Sequence, residues 1–150
     1  MNPLLNPLTS IPLAVNFFST PKRLHKLPQE KLERYRDKAF RKIVKYAYTV
    51  PLYHKKYRAA GVHPSDIKGI KDITKLPLVT KEDLIKNFPD GVIPAGCNKD
   101  EMYVVSTSGS SGKPLSIYSD FYTMVTAIGP FMRELNIFNL HWRKSRIAHI

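Results

Sequence analysis

Leu32, Tyr35, Ala39, Phe40, Ile43, Val44 and Ala47 recur at three- and four-residue intervals. That spacing predicts an amphipathic helix over residues 28–49 with one apolar stripe turned to a core. Pro28 suits its first turn, Glu30 and Glu33 lie near the positive end of the dipole, and Pro51 opposes continuation. A second helix is expected from Leu52 to Ala60, closed by Gly61 in the left-handed conformation. Residues 63–78 are punctuated by Asp66, Gly69 and Pro77 and read as turns. Thr80 then has the character of an N-cap, with Glu82 and Asp83 opening a short helix to Asn87 that Pro89-Asp90-Gly91 ends.

The pattern changes after Glu101. Val104-Val105 and Leu115-Ser116-Ile117-Tyr118 read as strands on either side of a polar loop. Asp120 can cap a helix holding Met124, Val125, Ala127, Ile128, Phe131, Met132 and Leu135, which Gly129-Pro130 should kink or split. Its apolar residues cover more than a stripe, so burial between layers is expected, with the methionines and aromatics serving as core. Asn139 to Lys144 forms a polar turn, and Arg146 to Ile150 reads as the beginning of a strand. Helices over the first two thirds, then strands around a loop, predict an α/β class.

That loop, Ser106-Thr107-Ser108-Gly109-Ser110-Ser111-Gly112-Lys113-Pro114, concentrates the chemistry of the chain. Glycines let amide N–H groups turn inward, hydroxyls add donors, and Lys113 adds a mobile positive charge, a combination suited to polyphosphate. It is not a Walker A loop, because two residues separate Gly109 from Gly112 and Pro114 stands where the metal-binding hydroxyl belongs. No Gly-x-Gly-x-x-Gly of a dinucleotide fold is present. Ser110 to Lys113 matches the Ser-x-x-Lys of penicillin-binding enzymes, but that pairing needs a helix, which Gly112 and Pro114 oppose. The bland alternative is a flexible linker, against which the β-branched flanks weigh.

Thr107-Ser-Gly-Ser-Ser-Gly-Lys-Pro114 resembles the phosphate loop of the adenylate-forming (AMP-binding) superfamily. Tyr35 to Tyr48, Val50-Pro-Leu-Tyr53 and Leu76-Pro-Leu-Val-Thr-Lys-Glu-Asp-Leu84 are similar to landmarks of its phenylacetate-CoA ligase branch, which includes capsular polysaccharide biosynthesis relatives. The resemblance covers residues 30 to 125, with Leu115 departing from the lysine or arginine common after the proline. It implies an incomplete N-terminal portion of the large domain of such an enzyme. On this reading residues 1–27 are an N-terminal arm, residues 28–150 begin the AMP-binding domain, and the remaining partner is the same enzyme beyond Ile150. The implied reaction joins a small-molecule carboxylic acid to ATP, releasing pyrophosphate, and passes the acyl group to a thiol such as coenzyme A. Thr107, Ser108, Gly109, Ser110, Ser111, Gly112 and Lys113 would hold the ATP phosphates, with Mg²⁺ arriving with the nucleotide. No catalytic acid or base is assigned, since a carboxylate is already ionised near neutral pH. The implied adenine segment, ribose-binding aspartate and C-terminal lysine have no counterpart here, so this stretch alone is expected to be inactive. A non-catalytic relative acting as a binding module is the alternative.

Charge changes the picture in one respect. Lys and Arg number 24 against 12 Asp and Glu, a net charge of +12, which raises nucleic acid as a rival partner. The basic face of the first helix, Lys31, Arg34, Lys38, Arg41, Lys42 and Lys45, carries no interleaved aromatics and is partly offset by Glu33 and by an Asp37–Arg41 pairing, which disfavours that partner. The lone Cys97 excludes an intramolecular disulfide, and the five histidines lack ligand spacing, so no metal site is predicted. Residues 1–20 are apolar but lack the leading charge and cleavage site of an export signal, from which a cytoplasmic location is expected. Followed by Lys22, Arg23 and Lys26, they also fit contact of residues 1–26 with a membrane surface.

Overall fold

Pro28 precedes the first turn of helix α1, Gln29–Ala47, and Val50 precedes Pro51 at the first position of helix α2, Pro51–Ala59. Pro51 therefore ends one helix and begins the next, since its missing N–H is of no consequence in a first turn. The computed structural model describes residues 24, 27–109, 112–141, 144 and 146. They divide between two compact units, the described residues of 28–119 in one and residues 24 and 27 with the described residues of 120–150 in the other.

In the first unit, Gly61 (φ +65°) turns the chain out of α2, and the Val62 N–H returns to the Tyr57 carbonyl at 2.9 Å. Short 3₁₀ turns follow at Pro64–Asp66 and Ile70–Lys75. The core forms where α1, α2 and these turns meet: Val44, Tyr57 and Ile67 are buried together, with Phe40, Ala47, Tyr48, Tyr53, Val62 and Leu76 packed around them. Burial pushes the Tyr57 hydroxyl pKa up, because the interior disfavours the phenolate.

The expected single stripe of α1 is corrected here. Phe40, Val44 and Ala47 face the core, whereas Leu32, Tyr35 and Ile43 are exposed. At 3.6 residues per turn the two sets lie on different sides of the helix, and a sequence pattern records both without saying which meets a partner. The Asp37–Arg41 pairing is replaced by tertiary contacts. Asp37 Oδ1 accepts the Ile70 N–H at 3.0 Å, Arg41 Nη1 donates to the Lys68 carbonyl at 2.5 Å, and Arg34 pairs instead with Glu30. Gly69 allows this approach, since a Cβ there would meet the Asp37 carboxyl carbon at 2.6 Å.

Helix α3, Lys81–Asn87, begins at the expected cap: Thr80 Oγ1 accepts the Asp83 N–H at 3.2 Å and Asp83 Oδ2 accepts the Thr80 N–H at 2.9 Å. Lys56 of α2 reaches across to Asp83 at 2.6 Å and donates to the Leu78 carbonyl at 2.9 Å. The Lys56 bond first, then the Thr80 amide, hold the Asp83 pKa down, from its ordinary 3.8 to about 2. A depressed folded pKa stabilises the protein above 3.8, and this contribution disappears as the pH falls towards 2. Asp83→Asn is therefore expected to lower the urea midpoint at neutral pH, and the gap from the wild type to close in acid; urea titrations across that window check it.

Strands β1, Met102–Ser106, and β2, Ser116–Asp120, pair as a two-stranded sheet. The helical stretch followed by this small sheet is a mixed α and β arrangement. In the second unit, Asp120 caps helix α4, Phe121–Thr126, by accepting the Thr123 N–H at 2.6 Å, and helix α5 follows at Ile128–Ile137. The expected split falls at Ala127, which leaves Pro130 in the first turn of α5, where proline is tolerated. Burial between layers is not observed: Met124, Ile128 and Phe131 are exposed, and Leu135 is the buried position among the described residues. The Arg146–Ile150 strand lies largely outside the described residues, as does Trp142.

Candidate functional site

The hairpin presents the hydroxyl- and glycine-rich loop, and its neck is defined by four residues. Ser106 and Ser116 face each other with their hydroxyls 2.7 Å apart. One step further, the Thr107 N–H donates to the Leu115 carbonyl at 2.9 Å, while the Leu115 N–H donates to the Thr107 side-chain oxygen at 3.0 Å. The threonine hydroxyl thus takes the place of a backbone carbonyl in the ladder. Its own proton stays available for a ligand, because accepting one bond leaves the O–H free to donate.

Beyond the neck the two glycines close the loop on itself. Gly109 has φ +70° and Gly112 φ +138°, both in the region that favours glycine. The Gly112 N–H donates to the Gly109 carbonyl at 2.9 Å. A Cβ on Gly109 would lie 2.9 Å from the Gly112 carbonyl oxygen and 3.2 Å from the Pro114 ring. Thr107, Ser108, Gly112 and Lys113 are exposed and Gly109 is half-buried, so the structure brings these five together on one loop. Ser110 and Ser111 lie outside the described residues. One expected use is altered: the Gly112 amide is engaged inside the loop, donating to the Gly109 carbonyl.

Sequence reasoning missed the supports of this loop. Tyr118 of β2 stacks on Phe88 with centroids 5.1 Å apart and planes at 15°. Lys99 pairs with Asp90, a contact that raises the Lys99 pKa, and Asn98 caps the turn that leads into β1. The serines at the neck were visible as residues, but their facing depends on strand register.

His54, His63 and Cys97 make short-range bonds within the first unit. His54 Nδ1–H donates to the Tyr48 carbonyl at 3.1 Å, and His63 Nδ1 accepts the Ser65 N–H at 3.3 Å. Cys97 is half-buried, its N–H donating to the Pro94 carbonyl at 3.3 Å. Among the described residues no group of three His, Cys, Asp or Glu could hold a metal ion, and no helix is long and apolar enough to cross a membrane.

A hairpin carrying a Ser/Gly/Lys loop, preceded by a helical segment, is here joined to a phenylacetate-CoA ligase-like sequence. The chain is 40% identical over 72 residues to the phenylacetate-coenzyme A ligase of Escherichia coli, a match covering 47% of the chain and 16% of that protein. It is 30% identical over 116 residues to the enzyme of the same name from Thermus thermophilus, covering 77% of the chain and 23% of the relative. The Aromatoleum evansii enzyme matches at 32% over 114 residues, 73% of the chain and 26% of the relative. The chain therefore spans about a quarter or less of the length of these relatives. No family model matches it.

Proposed function

We propose that this chain is the phosphate-binding N-terminal part of an ATP-dependent acid–CoA ligase, with residues 28–150 opening its AMP-binding domain. The observation that carries the reading is the loop closed by Gly109 and Gly112, with Thr107 at its neck and an exposed Lys113 next to Gly112, in a chain similar to phenylacetate-CoA ligases. A polyphosphate fits this donor set. The Thr107 hydroxyl retains its proton, Ser108 is exposed beside it, and Lys113 is an exposed cation unpaired among the described residues. Ser110 and Ser111 complete the proposed set by their place in the sequence.

When bound, ATP supplies an electrophilic phosphorus for the acid and a pyrophosphate leaving group. The chain's own task is to neutralise charge. Hydroxyl donors and the Lys113 ammonium offset phosphate charge that would otherwise repel an incoming carboxylate, and donors fixed in advance do this without reorganising. The Gly112–Gly109 bond orders the backbone from which Lys113 reaches out. Mg²⁺ would accompany the phosphates, held by them and by water. Coenzyme A as acyl acceptor, a carboxylic acid as substrate, further sequence completing the enzyme and a cytoplasmic location belong to the same proposal.

Titration of the chain with pyrophosphate, followed by amide NMR, tests the loop. Shifts confined to Thr107, Ser108, Gly109, Gly112, Lys113 and their neighbours are expected. Shifts centred instead on the lysines of α1, with the loop unmoved, would remove phosphate binding from residues 107–113.

A further inference from the structure

Helix α1 carries an exposed apolar stripe that the ligase reading does not use. Leu32, Tyr35, Ile43 and Tyr46 are 36%, 48%, 65% and 62% exposed, and with Ala39 they follow one another at three- and four-residue steps. On a helix of 3.6 residues per turn they share one side, centred about 105° around from Phe40, Val44 and Ala47 in the core. The stripe therefore borders the packed face at Ile43 and turns away from it towards Tyr35.

Its margins are cationic. Lys31, Lys38 and Lys42 run along one side and Arg36 lies on the other, all exposed and without an ion pair among the described residues. The acids of α1 lie elsewhere: Glu30 and Glu33 project away from the stripe by the same helical geometry, and Asp37 faces Ile70. A second copy of this chain is a poor occupant, since apposed stripes would set lysine against lysine with no acid to compensate. A surface of fixed negative charge over an apolar layer matches both features at once.

We infer that the Leu32–Tyr35–Ile43–Tyr46 face of α1 docks on an anionic lipid bilayer. The aliphatic side chains enter the acyl boundary, the two tyrosines occupy the headgroup level that amphipathic rings favour, and the flanking lysines meet lipid phosphates. Helix α1 lies in the plane of the interface, with its core face still covered by α2 and the following turns. This inference is independent of nucleotide binding.

Flotation of the full natural polypeptide with vesicles tests it, using phosphatidylcholine alone and phosphatidylcholine mixed with phosphatidylglycerol, at low and high salt. Binding to the mixed vesicles, none to the neutral ones, and weakening by salt are expected. Tyr35→Asn with Ile43→Asn should lower the affinity about tenfold or more. Lys38→Glu with Lys42→Glu should lower it at least about fivefold per lysine while leaving the apolar stripe intact. All four positions are exposed, so circular dichroism should be unchanged in both variants. Binding that survives both variants would overturn the assignment and move lipid contact to residues 1–26. Failure to bind mixed vesicles would also overturn it; dimerisation in sedimentation experiments would then give the face to a second copy.

Discussion

Gly109→Ala and Lys113→Ala are each expected to slow carboxylic-acid-dependent ATP–pyrophosphate exchange, measured on the full natural polypeptide, for different reasons. Lys113→Ala removes the charge proposed to offset the leaving phosphates. Loss of one preorganised donor of this kind costs on the order of a hundredfold in rate. Gly109→Ala keeps every donor but cannot keep the loop. An alanine at φ +70° costs about 1–2 kcal/mol, and its Cβ would also press on the Gly112 carbonyl at 2.9 Å. The backbone between Gly109 and Pro114 would have to shift to make room. Lys113→Arg separates charge from shape: retained exchange would assign the lysine a charge role, and lost exchange a geometric one. Exchange unchanged in a Gly109→Ala/Lys113→Ala double variant would take the loop out of the reaction.

Ile67→Ala is expected to cause the largest loss of stability. Ile67 is 1% exposed and packs with Val44 and Tyr57 at the centre of the core. Truncating a buried isoleucine costs roughly 2–5 kcal/mol through lost transfer energy and the cavity left behind. Small domains hold only about 5–15 kcal/mol in total, so a large fraction would go with one residue. Urea unfolding followed by tyrosine fluorescence measures it. Exposed Ile43→Ala serves as the comparison and should change the midpoint little, since its side chain already meets water. Equal losses at both positions would contradict the packing described for α1.

The contrast between Ile67 and Ile43 marks the limit of what the chain reveals by itself. Local chemistry was legible wherever it is complete within a few residues. Thr80 and Asp83 close a capping box three residues apart, Asp120 caps α4, and Gly61 takes the left-handed conformation, all through neighbours in sequence. The loop between the two strands was legible for the same reason, since its glycines, hydroxyls and lysine are contiguous.

Features joining distant residues were not legible. Asp37 was expected to pair with Arg41 one turn away, yet both serve residues 68–70, and Gly69 is the only residue type small enough to let that approach occur. Neither the stacking of Phe88 on Tyr118 nor the facing of Ser106 and Ser116 has a sequence signal, because each depends on strand register and on how a turn is placed. The amphipathic period of α1 established a helix, but periodicity only records which positions are apolar. The sequence alone determined the helices, their caps, the Ser/Gly/Lys composition of the loop and the ligase resemblance, because those rest on short-range geometry and contiguous motifs. Only the tertiary structure decided which side of α1 is buried, which polar groups tie α1 to the turn at Gly69, and that the Gly112 amide is spent inside its own loop. Burial and hydrogen-bond satisfaction are properties of what comes to lie alongside a residue, and a linear pattern does not contain that information.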